Sequence, residues 1–151
     1  MLEQALRTFL LTKTAITGLV GQRIHVGDFV PLADADMPAL GIEGEAAGSQ
    51  QCLDASPISL QFPTFVIRAK GRLFLDSCNI IDQVVAACLG VPLGMVVTIT
   101  VNSAPVNVTI VQVDLLSEPY NEEEVDYGHA YTIKPRAVKI RVGWRRPVTT
   151  I

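Results

Sequence analysis

Apolar positions define the first element of the chain. Between Leu2 and Leu19, residues Leu2, Ala5, Leu6, Phe9, Leu10 and Ile16 recur at three- and four-residue steps and share one helical face. Glu3, Gln4, Arg7, Lys13 and Thr14 fall mostly on the other. The spacing predicts one amphipathic helix, stopped by Gly18 and Gly21, since glycine accepts the left-handed conformation common just past a helix end. Arg23 to Val26 then reads as a short strand and Asp28 to Asp36 as a loop. Pro38 to Glu45 reads as a second strand with Leu40 and Ile42 on one face. Ala46 to Ser59 is polar, rich in turn residues, and reads as a loop between strands.

The period then changes to two. Phe65, Ile67 and Ala69 alternate with Val66, Arg68 and Lys70, the pattern of a half-buried strand. A second helix is expected over Asp76 to Leu89, with Asp76 or Ser77 as its cap. Ile80, Ile81, Val84, Val85, Cys88 and Leu89 form its apolar stripe, and Gly90 and Pro92 end it. Met95 to Val101 and Val106 to Leu116 flank the turn residues Asn102 to Pro105, a hairpin signal. Both runs are apolar on nearly both faces, so the hairpin is expected to be covered on two sides. Pro119 to Tyr127 is an acidic connection. In the last strand, Val138, Ile140, Val142 and Trp144 alternate with Lys139, Arg141 and Arg145, and Pro135 places its early part at a sheet edge or a bend. Two helices on one face of a mainly antiparallel sheet would bury both stripes, so an α+β fold is expected, with residues 1–151 as a single domain.

Composition adds one point. Hydrophobic residues make up 49% of the chain and charged residues 18%, below the average of about 25%. A subunit that buries faces against copies of itself would account for the surplus. A well-filled core under a thin polar surface is the plainer reading. The net charge of -3 does not suggest a nucleic-acid binder. No apolar run approaches the roughly 20 residues of a membrane span, and no signal peptide is read at the start.

Candidate chemistry is sparse. His129 lies just beyond Asp126, but a solvated loop histidine is the simpler reading, and His25 reads as a surface strand residue. Asp34 with Asp36, and Glu122 with Glu123 and Glu124, are carboxylate groups without the spacing of a calcium loop. The three cysteines, Cys52, Cys78 and Cys88, match no zinc spacing, and a reducing cytoplasm is expected for the chain. No phosphate-loop, dinucleotide or nucleophile-elbow motif occurs. No enzyme activity, cofactor or metal is therefore expected. The charged groups read either as ordinary solvated surface charge or as docking surfaces between subunits. The acidic set is Asp34, Asp36, Glu122, Glu123, Glu124 and Asp126; the basic set is Arg141, Arg145 and Arg146. Between subunits such patches set orientation more than affinity.

Short motifs carry a resemblance. Ala5-Leu6-Arg7 with Leu10, then Val20-Gly21-Gln22-Arg23-Ile24, then Pro38-Ala39, resemble the opening of the tail terminator (tail-completion) proteins of long-tailed bacteriophages. The strand Phe65 to Lys70 and a helix ending in Leu89-Gly90 fit the same outline; Ala46 to Ser59 departs from it. The resemblance implies a virion structural protein of the tail or neck, assembled in the host cytoplasm. It implies a homo-hexameric ring that caps the head-proximal end of the tail tube, stops its polymerisation, and provides the docking surface for the head connector or head-closure protein. Contact with the tape measure protein is implied too, and DNA would pass through the lumen without specific binding. An acidic run from Glu122 to Asp126 lining that hole would repel DNA. The alternatives are a head-closure or head–tail joining neck protein and, in a different class, a small ligand-binding or enzymatic α+β domain.

Overall fold

The computed structural model describes residues 2–27, 36–44, 58–91, 94–126 and 132–147. The chain runs α1 (Leu2–Leu11), α2 (Thr14–Val20), β1 (Ile24–Val26), β2 (Ala39–Gly44), β3 (Ile58–Gln61), β4 (Thr64–Gly71), α3 (Phe74–Leu89), β5 (Val96–Val101), β6 (Ala104–Leu115), β7 (Tyr120–Asn121), β8 (Val125–Asp126) and β9 (Thr132–Pro147). The fold is α+β, and nearly half of the chain is strand.

The expected single first helix is two. Thr12 N–H and Lys13 N–H donate to Phe9 O and Leu10 O, three residues back, so the last turn tightens. The Thr12 hydroxyl also donates to Phe9 O at 2.6 Å, and Lys13 is extended. A threonine that bonds its own backbone competes with helix continuation. The break re-aims the chain without leaving the core: Ile16 and Val20 of α2 are as buried as Leu6 and Leu10 of α1.

The sheet order is β1-β2-β4-β9-β6-β5, with β3, β7 and β8 also paired to β9. Among the described strands, only β1 and β2 run parallel. β9 is thus the spine, with β4 along one side and β6 along the other. This corrects the expectation for Pro135, which lies opposite Lys70 of β4 rather than on a free edge. The proline is tolerated because its nitrogen faces away from β4. Its carbonyl accepts from Glu122 N–H at 3.1 Å, and the β7 ladder stops one residue short of it because it has no N–H to return.

The core lies between the helices and one sheet face. It joins Leu6, Phe9 and Leu10 of α1 to Ile80, Ile81 and Val84 of α3, and to Phe65, Ile67, Val138, Ile140 and Trp144 of the central strands. α3 starts two residues earlier than expected, at Phe74, after an extended Leu73 that caps with no side chain. Ser77, fully buried, caps nothing; its hydroxyl donates to Lys134 O at 2.6 Å and ties α3 to β9. The hairpin turn is two residues, Asn102 and Ser103, both at positive φ (51° and 64°), so Ala104 and Pro105 belong to β6. The hairpin is covered on one side, not two. Val97, Ile99, Val108 and Ile110 are buried, whereas Val96, Thr98, Thr100 and Asn107 are exposed. Ile58 and Ser59, read as loop, open β3 against the end of β9.

Candidate functional site

Two groups of charge stand on this frame. The first is built on Arg68, which β4 carries on the sheet face opposite Phe65, Ile67 and Ala69. Its guanidinium bonds Glu43 of β2 and, at 2.7 Å, Glu122 after β7. Partial burial pulls its pKa down, but the hydrogen bonds it donates to both carboxylates outweigh this, and the net shift is upward. Glu122 is therefore occupied within the chain. Glu124 lies 3.8 Å from Lys134, and Glu123 is exposed with no ion pair among the described residues. Tyr120 to Asp126 is an extended acidic edge laid along β9. Asp126 stands in β8, but its side chain is outside the described part. Asp34 and His129 lie outside the described residues, as does Cys52; Asp36 is half-buried.

The basic set is divided. Arg141 is held by Asp114 of β6, its Nη2 3.1 Å from the carboxylate, so its first partner is its own chain. Arg145 is exposed and stands opposite Thr109. Arg146 is in the strand, with its side chain outside the described part.

The second group was not read from sequence. β1 and β5 are the two ends of the sheet, and α1 lies between them. An open cleft of about 470 Å³ follows, lined by Gln4, Arg7 and Thr8 of α1, by β1, and by Thr98, Ile99 and Thr100 of β5. Arg7 Nε donates to Ile24 O at 2.6 Å, which fixes the guanidinium and occupies a carbonyl of the β1 edge. Burial and then the positive charge of Arg7 hold His25 below its ordinary pKa; Asp36 pulls the other way. Arg7 thus supplies the positive charge among the residues that line the cleft. The signal in the sequence was Val96 to Val101, VVTITV, an uncharged β-branched run that also lacks proline.

Among the described residues, no group of three or more His, Cys, Asp or Glu side chains converges as a metal would need. Burial pushes the Cys88 thiol to about 12, so it is a packed apolar group and not a nucleophile. Among the described residues no helix is long and apolar enough to cross a membrane.

The fold has a solved counterpart. A chain from the "Virion of native gene transfer agent (GTA) particle" superposes with a TM-score of 0.58 at 15% identity, over 95% of this chain and 94% of that one. A likeness at this identity shows the fold. A second solved chain aligns at a TM-score of 0.36 and 11% identity, over 93% and 94% of the two chains, and carries no argument. No family model matches the sequence, and no curated protein does.

Proposed function

We propose that this chain is a structural subunit of a phage-like particle, and that its work is tail termination. Copies close into a hexameric ring on the head-proximal end of the tail tube, block further addition, and present their outer face to the head connector or head-closure protein. One observation carries the reading: the fold agrees along nearly the whole chain with a subunit of a gene transfer agent virion. The tail-terminator-like motifs at Ala5-Leu6-Arg7, Val20 to Ile24 and Pro38-Ala39 supply the finer assignment.

The physics of a cap agrees with the surface. A ring needs two different patches on each subunit, closed by rotation. This chain has an acidic edge at Tyr120 to Asp126 and a basic cleft at Arg7, on different elements. Arg145, unlike Arg141, is left for a neighbouring molecule.

The test is to add the purified chain to growing tail tubes and measure tube length by negative-stain microscopy. Elongation is expected to stop at the end the chain occupies, with lengths falling as its concentration rises. Tubes that lengthen at the same rate with the chain present would overturn the reading.

A further inference from the structure

Among the described residues, the outer edge of β5 pairs with no strand, and it is inviting to another one. Ile110 N–H donates to Met95 O at 2.9 Å, so Met95, and by alternation Val97, Ile99 and Val101, face β6. The backbone N–H and C=O of Val96, Thr98 and Thr100 therefore point away from the ladder. Natural sheets blunt such an edge with a charge, a proline or a bulge, and β5 has none of these. At the other end of the sheet, β1 is three residues long and has Arg7 bonded to its Ile24 carbonyl. The cleft beside β5 adds charge. Arg7 is anchored through Nε, and its two terminal nitrogens make no other hydrogen bond among the described residues, a fork suited to a carboxylate.

We propose that β5 and this cleft receive the acidic edge Tyr120 to Asp126 of a second copy. That strand would extend the sheet across the subunit boundary and set Glu123 against Arg7. The inference rests on the ring reading and names its interface. Three observations select this occupant. Glu123 is exposed and unpaired, and so complements the cleft. The segment already lies along β9 through two short strands, and among the described residues its other side pairs with no strand. It is also similar in length to β5, seven residues beside six, the latter about 20 Å of strand. Arg145 offers charge alone, whereas the cleft offers charge and a backbone to pair with. The two patches differ, so the contact is heterologous and can close a ring. It also places Glu122 to Asp126 in the subunit boundary and not in the channel.

The test uses the full chain in the producing cell. Thr100 is replaced by photoreactive benzoylphenylalanine, with mixed isotope labels to separate contacts within and between copies. Crosslinks from Thr100 to residues 118–126 of a second copy are expected. Thr98→Pro is the second variant: its N–H faces away from β6, so the hairpin keeps its ladder while the outward donor is lost. It is expected to lower the assembled fraction about tenfold more than Thr98→Ala, which removes the same side-chain bond to Asn107. Three results overturn the proposal and leave the ring standing: crosslinks to another segment of a second copy, crosslinks to a different protein, or Thr98→Pro assembling like Thr98→Ala. Particles that lack the chain altogether would remove the ring reading, and the proposal with it.

Discussion

At the residue scale, several polar side chains that a sequence would assign to surface chemistry act as internal ties. Ser77 stands where a cap is expected but is fully buried, and its hydroxyl holds Lys134 O. Removing it leaves a carbonyl without its partner in a closed site. Ser77→Ala is expected to cost about 1–2 kcal/mol in denaturant unfolding at unchanged slope. A loss within the error of measurement would show that the bond contributes nothing net. Arg68 works similarly: by taking Glu43 and Glu122 together it pins the acidic segment to the sheet. Neither role was legible beforehand, because each depends on a partner more than 50 residues away. Burial of Val138, Ile140, Val142 and Trp144 was legible, because strict alternation allows only one face to be apolar.

At the element scale, the hairpin gives the clearest prediction. Both turn residues hold positive φ, which asparagine tolerates and serine does not favour. Ser103→Gly is expected to stabilise the chain by about 1 kcal/mol, read as a rise in melting temperature. A fall would show that the serine side chain contributes more than the strain costs. Element types followed from periodicity for α3, β4, β5, β6 and β9. The sequence missed where the ladder and local bonds decide. The Thr12 hydroxyl breaks the first helix against an otherwise continuous apolar stripe. Pro135 sits inside the sheet because only its nitrogen side needs to be free of a ladder. The hairpin looked apolar on both faces because β-branched threonine and valine suit a strand whether or not the outer face is covered. That miss concealed the candidate site, since the outer face and free edge of β5 are the part of the hairpin left open.

At the scale of the whole molecule, the sheet is closed on neither side. One face packs on α1 and α3, with α2 held against both, and among the described residues surface open to contact lies at the β5 edge, in the basic cleft beside it, and along the acidic segment on β9. Exposed Leu73, Phe74 and Leu75 at the start of α3 add an apolar knob. These unlike patches sit on different elements, as the proposed ring requires of its subunit. The α+β class was readable from the order of periodic segments. The proposed ring rests on the tail-terminator-like motifs and the apolar surplus, because symmetry is a property of surfaces between chains and no single element carries it. Inactivating the gene in its source particle and measuring tail length by electron microscopy tests the account most directly. Overlong tails without heads are the predicted result. Tails of normal length lying beside full, unattached heads would contradict termination.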